Sequence, residues 1–452
     1  MASLKESAPG RRMTCTLMII LLLLFGLAFT AEAKEGHVAD LARYPQDPRF
    51  LVTPGEAERP LLSPSEQETR AEEYRSRHFA PWTRSEAAHS ADEAFWALDR
   101  YRDRPAWGEN LQRRDGRWVA DLAAYADRGN YPTRADRAIL VDNTPLRSLP
   151  TERPHFNDPA LPGEGYPFDN FQNSTAWAGT PLLVTHQSVD GAWLLVETPF
   201  AAGWVRPSQV AFVDRRFIEV FTESSLAVFV ADDVAVSDTR GRHRFLAQTG
   251  TLLPLLRADA FRIGLLVPYR DGEGRAHLEE AILRRGQVVP FPLTMTPWKV
   301  ATVASRLAGK SYGWGGLYGN RDCSALTRDL FAPFGLWLPR NSSGQRRSGQ
   351  VLDLSGMSDD EKKALIVAEG EPFASLIGMA GHIMVYVGSR QGTPLVFHSL
   401  WGLKTLDEAG KPGRKVIGRA VVTSLDAGQE DRAVAAGGTL TGRVTELVIL
   451  AR

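Results

Sequence analysis

The sequence predicts a multidomain protein: a helical N-terminal segment, two small β-barrels in tandem, and a C-terminal α+β domain. Three observations carry that reading. A chain of 452 residues exceeds one ordinary domain and suits about three or four. Between residues 65 and 129 the apolar residues recur at helical spacing. From residue 131 the pattern changes to short strands parted by turns, and from residue 296 to helix followed by sheet. The expected divisions are a leader at 1–33, the helical segment at 34–130, the barrels at 131–217 and 218–293, and the last domain at 294–452.

The leader is read from charge and hydropathy. Arg11 and Arg12 precede an apolar run at 17–29, and Ala31 and Ala33 place small residues where a signal peptidase reads. This is the pattern of a secretory signal peptide cleaved after Ala33, which places the mature protein in the periplasm or cell envelope. The run is short for a stable membrane span; an uncleaved anchor is the rival reading. Cys15 lies before the apolar run, so it is not a lipid-attachment cysteine. Cleavage leaves Cys323 as the only cysteine, with no disulfide despite export to an oxidising compartment. A net charge of 0, with 43% hydrophobic and 23% charged residues, describes a folded protein with no global bias toward nucleic acid.

Residues 34–64 are rich in proline and charge and read as a lead-in that is mobile or hugs the surface. A helical pattern starts at Ser65 and breaks at Pro81 and Trp82; Ser90 with Glu93 marks a further helix start. Trp82, Trp96 and Trp107 suit a small core or docking face. The first barrel takes strands near 138–141, 182–185, 193–197 and 203–205, with a turn at Asp190 and Gly191. The second takes strands near 228–230, 252–256, 263–268 and 276–282. In the last domain Thr296 caps a helix whose first turn holds Pro297. A glycine-rich loop follows, then a helix opened by Asp322. Residues 358–378 read as a helix plus a loop, and 381–388, 394–399 and 416–422 as strands.

Chemistry concentrates in YGWGGLYGNRDCSAL, residues 312–326. Cys323 in the first turn of a helix meets unpaired N–H groups and the helix dipole, which favour a thiolate of depressed pKa. His382 stands in GHIMVYVG and His398 in PLVFHS. His382, Met384 and Tyr386 share one strand face, and an adjacent strand brings His398 beside His382. That is the logic of a nucleophile, a general base and an orienting residue. The Cys323 N–H and the Tyr312 hydroxyl are candidate oxyanion donors. Taken singly, each residue has a plainer reading: a buried filler cysteine and half-buried, hydrogen-bonded histidines. A zinc site lacks a fourth ligand and the short spacings that mark one. No cofactor or metal is implied.

The motifs YGWGG, DCSAL, LPRNSSGQ and GHIMVYVG together resemble the NlpC/P60 family of cell-wall cysteine peptidases, over about 296–425. The resemblance implies a papain-like α+β fold with Cys323 as nucleophile, His382 as base and His398 as the orienting residue. Asp322 and Ser324 match the neighbours of the cysteine, and Arg340, Ser342 and Gln345 the substrate-side LPRxS..Q segment. Ala325 departs from the usual glycine. The whole chain resembles a subgroup with a helical stabilising segment and two SH3-like domains ahead of the peptidase, the first of which caps the groove. Tyr166-Pro-Phe-Asp-Asn170, with Gln172 and Asn173, carries that part. Members resemble γ-D-glutamyl-L-diamino-acid endopeptidases, which cut between D-Glu and diaminopimelate in murein stem peptides with a free N-terminal L-Ala.

The resemblance and the residues together make Glu164, Tyr166 and Asp169 candidates for the substrate amine. Arg340 is a candidate for a substrate carboxylate or for holding its own loop. Trp314 is expected to line the groove. Murein stem peptides are the expected partner, nucleic acid is not, and the protein is expected to be a monomer. Two other readings remain: a wall-binding protein without catalysis, and a cysteine amidase or acyltransferase acting on another amide.

Overall fold

A computed structural model describes residues 38–115 and 117–452. The signal-peptide reading, with Arg11, Arg12, Cys15, Ala31 and Ala33, lies outside the described residues. Among the described residues no helix is long and apolar enough to cross a membrane.

The helical segment has no core of its own beyond one shared with a barrel. Its longest helix, Pro64–Thr83, starts on a Ser63–Glu66 capping box and runs through Pro81 without a break. The break expected there is absent because Pro81 stands in the last turn, where the carbonyls lost to it are few. Tyr74, Phe79 and Trp82 pack among residues of the second barrel, with Phe217 and Phe229. The Trp82 indole N–H donates to the Ala138 carbonyl at 2.8 Å. Phe95, Leu98, Tyr101 and Leu122 pack instead with Phe171, Trp193 and Trp204 of the first barrel. One segment thus binds two barrels together.

The lead-in at 38–62 hugs the last domain. Val38 and Leu61 are fully buried in its two cores. Gln46 donates to the Val422 carbonyl and accepts from the Val422 N–H, both at 3.0 Å. Val422 belongs to the strand at the sheet's outer edge, whose backbone groups would otherwise be open to pairing.

The first barrel is a seven-stranded antiparallel sheet. Its strands run in the order Gln172–Ala176, Thr144–Arg147, Ala202–Val205, Leu194–Glu197, Pro181–Gln187, Asp136–Leu140, Val210–Phe212. The second has a five-stranded sheet and a separate two-stranded one. The division drawn between 217 and 218 falls inside a helix, Arg215–Glu223. Asp214 caps that helix, and its Phe217 and Phe221 pack into the second barrel.

The last domain sets the Pro297–Leu307 and Cys323–Phe331 helices against a six-stranded sheet. Its order is Gln350–Asp353, Val444–Ile449, Ser375–Met379, His382–Arg390, Thr393–Leu406, Pro412–Ser424. The loop expected before residue 378 is in fact the strand Ser375–Met379, a continuous apolar run buried on both faces. Alternation sorts the sheet into two cores. Ile383, Val385 and Val387 pack with Leu326 and Leu330 of the cysteine helix, whereas Met384 and Tyr386 pack with Ile366 on the other side.

Candidate active site

Asp322 starts the cysteine helix. Its carboxylate accepts the Ala325 N–H at 2.8 Å and the Ser324 hydroxyl at 3.1 Å through Oδ1, and the Gly315 N–H at 3.1 Å through Oδ2. Arg340 grips both oxygens, with Nη1 at 3.1 Å from Oδ1 and Nη2 at 2.8 Å from Oδ2. Burial alone would raise the carboxyl's pKa, but Arg340 and the donors outweigh it and hold it below the usual range. Arg340 also reaches Ser324 at 3.0 Å and, in the first barrel, Ser174 at 2.7 Å. Its guanidinium therefore holds its own loop to the helix start rather than standing open to a substrate carboxylate. Gln345 faces inward too, donating to the Ser324 and Pro339 carbonyls, both at 2.8 Å.

The glycine loop is clamped by the first barrel. The Gly315 carbonyl accepts from Gln172 at 3.1 Å and the Gly316 carbonyl from the Thr175 hydroxyl at 2.8 Å. Both glycines have positive φ, and a Cβ on Gly315 would lie 2.1 Å from the Gln172 carbonyl oxygen. Only glycine admits this approach. The next contact inward is ionic: buried Arg321 pairs with Asp232 of the second barrel at 2.6 Å and with Asp329 of the cysteine helix at 2.7 Å.

Cys323 and His382 line the same groove. The body of the helix packs on the strand face opposite His382, with Cys323 in the same cluster as Ile383. The register Val385 to Phe397 sets His398 diagonally across from His382 on the same face. His382 Nε2 lies 2.8 Å from His398 Nδ1, and His398 Nε2 lies 3.1 Å from Thr423 Oγ1. Thr423 donates its only proton to the Ser424 carbonyl at 2.9 Å. Its oxygen must then accept from His398 Nε2–H. His398 Nδ1 in turn accepts from His382 Nε2–H, which leaves His382 Nδ1 unprotonated.

The thiol is not acidified as the helix start suggests. Burial, then the Asp322 charge, pushes its pKa up to about 12. Burial, then the Arg443 charge, lowers His382 to about 4; burial holds His398 far below the usual imidazole range. The capping carboxylate cancels the helix terminus that would have favoured thiolate. At neutral pH these shifts leave Cys323 and His382 both uncharged. The Tyr312 phenol, raised by burial and by the nearby Asp322 and Cys323, stays protonated and can donate.

The groove over Cys323 holds about 670 Å³. Tyr312, Trp314, Ser324, Arg340, Ser342 and His382 line it. Glu164, Tyr166 and Asp169 do not. Asp169 is 2% exposed, pairs with Arg147 at 2.7 Å and accepts the His155 and Phe171 N–H groups. Glu164 accepts from Asn157 at 2.7 Å, and Tyr166 is an exposed side chain edge-on to Phe156. The cap instead presents Phe168, Asn170 and Asn173, with Trp96 and Tyr101 from the helical segment. Of the YPFDNFQNS stretch, Phe168, Asn170, Gln172 and Asn173 line the groove, and Tyr166 and Asp169 do not. Trp401, Lys404, Arg414 and Arg443 also line the groove and carry no motif. Among the described residues no group of three His, Cys, Asp or Glu side chains is placed to hold a metal ion.

The fold agrees with the family comparisons. Residues 309–400 match the NlpC/P60 family, 14–131 the NLPC_P60 stabilising domain, 154–206 an SH3 domain of SH3b1 type, and 214–260 an SH3 domain of SH3b2 type. The chain therefore carries an NlpC/P60 domain, that of a cysteine peptidase superfamily, behind a stabilising domain and two SH3b domains. Among individual proteins it is similar to a gamma-D-glutamyl-L-lysine dipeptidyl-peptidase of Bacillus cereus (strain ATCC 10987 / NRS 248), at 22% identity over 188 residues. That match covers 41% of this chain and 54% of the relative, so the chain spans about half the length of the curated relative it matches. Its fold is that of an NlpC/P60 endopeptidase from Photobacterium damselae subsp. piscicida, with a TM-score of 0.81 and 24% identity over 90% of this chain and 97% of that one. An NlpC/P60 family protein from Bacillus cereus ATCC 10987 aligns at a TM-score of 0.48 and 17% identity, over 70% of this chain and 100% of that one.

Proposed function

We propose that this protein is an exported murein-peptide hydrolase that cuts the bond between γ-D-Glu and diaminopimelate through Cys323, His382 and His398. The observation that carries the reading is the hydrogen-bond chain in which His382 donates to His398, His398 to Thr423 and Thr423 to the Ser424 carbonyl. It leaves His382 with a bare Nδ1 in the groove that Cys323 also lines. Export rests on the leader residues of the sequence, which place the enzyme in the periplasm or cell envelope.

In this mechanism the peptide carbonyl lies over the sulfur. His382 Nδ1 takes the thiol proton as the sulfur–carbon bond forms, so thiolate exists only along the reaction path. The developing oxyanion accepts from the Cys323 N–H, free at a helix start, and from the Tyr312 hydroxyl. The C–N bond breaks and the leaving amine takes the proton from His382. Water then attacks the thioester, giving a proton to His382, and the thiol is restored when that proton returns to sulfur.

The substrate's N-terminal side faces the cap. The Nδ2 atoms of Asn170 and Asn173 are committed to Asn157 and to the Ala202 carbonyl, at 3.0 and 2.9 Å, so their amide oxygens remain as acceptors for an ammonium. These two replace Glu164, Tyr166 and Asp169 in the amine-reading role. The test is product analysis with L-Ala-γ-D-Glu-diaminopimelate and its N-acetylated twin. Release of L-Ala-γ-D-Glu from the free peptide alone supports the reading; equal cleavage of both removes the cap's role.

A further inference from the structure

Four cations of the groove make no ion pair among the described residues: Arg100, which lies over the Trp96 and Tyr101 rings, and Lys404, Arg414 and Arg443 on the other side. Lys404 and Arg414 lie directly opposite each other on neighbouring antiparallel strands. Like charges in that position are destabilising, so fold stability does not account for them. Arg443 lines the same groove; burial, then the Arg414 charge, lowers its pKa, and its own charge is felt at His382. Neighbouring cations do find partners: Lys415 meets Asp431 at 2.7 Å and Arg346 meets Glu446 at 3.4 Å. Among the described residues Lys404, Arg414 and Arg443 make no ion pair within 4 Å. Among the described residues the only carboxylate lining the groove is Asp322, which Arg340 already holds.

The side of the groove follows from the chemistry. His382 gives its proton to the leaving amine, so the leaving residue lies beside His382, which is where Arg443 acts. The cap, with Asn170 and Asn173, occupies the N-terminal side. We infer that Lys404, Arg414 and Arg443 form a carboxylate subsite for the leaving diamino acid, one that selects a side-chain carboxylate of the kind diaminopimelate has and lysine lacks. This rests on the peptidase reading above, and it assigns specificity to residues outside the catalytic set. A guanidinium pair suits a carboxylate in shape as well as charge.

The experiment compares kcat/KM on L-Ala-γ-D-Glu-diaminopimelate, its L-lysine counterpart, and a diaminopimelate peptide whose α-carboxyl is amidated. The wild type, Arg443→Gln and Arg414→Gln/Arg443→Gln are each assayed. The expected result is a preference of about tenfold or more for diaminopimelate over lysine in the wild type. The double variant loses it, with a larger fall on the diaminopimelate peptide than on the lysine peptide. Loss on α-amidation instead would place the α-carboxylate there and overturn the side-chain assignment. An equal fall on all three peptides, or an unchanged preference, would overturn the subsite. Binding of the same peptides to Cys323→Ala by calorimetry separates the two claims. If the wild type cleaves nothing, the peptidase reading fails. A binding preference for diaminopimelate that the double variant abolishes still upholds the subsite, and equal binding of both peptides refutes it.

Discussion

His382 Nε2 and His398 Nδ1 stand 2.8 Å apart, and the direction of that hydrogen bond is set from behind, by Thr423. Replacing Thr423 by valine removes the acceptor that keeps the proton on His398 Nε2. A net hydrogen bond of this kind is worth about 1 kcal/mol, so kcat should fall roughly fivefold to tenfold with KM unchanged. Thr423→Ser should keep the wild-type rate. A valine variant with full activity would remove the hydrogen-bond chain from the account.

The neutral pair gives a pH signature. Because His382 is lowered to about 4, the acid limb of kcat/KM should fall near pH 4 rather than near 6.5, where a solvated imidazole titrates. Stability follows the same sign. The folded state binds fewer protons than the unfolded one between about pH 6.5 and 4, so stability is lost as pH falls through that window. His382 alone accounts for about 3 kcal/mol of that loss. The same argument makes Cys323, pushed up to about 12, slow to alkylate with iodoacetamide at pH 7 and faster as pH rises. Fast labelling at neutral pH would show a resting thiolate and contradict this.

Arg340 is predicted to act on structure first. Removing it leaves the Asp322 carboxylate buried and unpaired, at a cost of about 3–5 kcal/mol. Arg340→Ala should lower the denaturation midpoint and abolish activity together. Arg340→Lys should restore part of the stability but little of the activity, since one ammonium cannot bridge both Asp322 oxygens and Ser174. Urea titration beside a peptide assay reads both effects.

The joint between the first barrel and the glycine loop is testable at Gly316. A Cβ there would lie 2.5 Å from Thr175 Oγ1, on a backbone at φ +86°. Gly316→Ala should cost about 1–3 kcal/mol and loosen the cap, so that the N-acetylated peptide becomes a better substrate relative to the free one. A variant as stable and as selective as the wild type would mean that the clamp does not position the cap.

The sequence made the domain order, the cysteine helix and the adjacency of His382 and His398 legible because these rest on local rules. Asp322 is a helix cap, Cys323 follows it, and strand alternation sorts His382 from Ile383. The cap was harder. Asp169 and Phe168 are adjacent in sequence, yet one is buried against Arg147 and the other lines the groove. That choice depends on which way a loop turns, which no periodicity records. Thr423, Lys404 and Arg414 come from strands that alternation does locate, whereas Arg443 ends the short helix Leu440–Arg443; that Lys404, Arg414 and Arg443 line one groove depends on strand register and on a stretch distant in sequence. The thiol departs from the expectation for a related reason: helix position argues for acidity, and burial beside Asp322 reverses it.

The most direct test is mass spectrometry of L-Ala-γ-D-Glu-diaminopimelate after incubation with the wild type and with Cys323→Ala. The account predicts L-Ala-γ-D-Glu and free diaminopimelate from the wild type and intact peptide from the variant. Cleavage that persists in Cys323→Ala, or cleavage at a different bond, would contradict it.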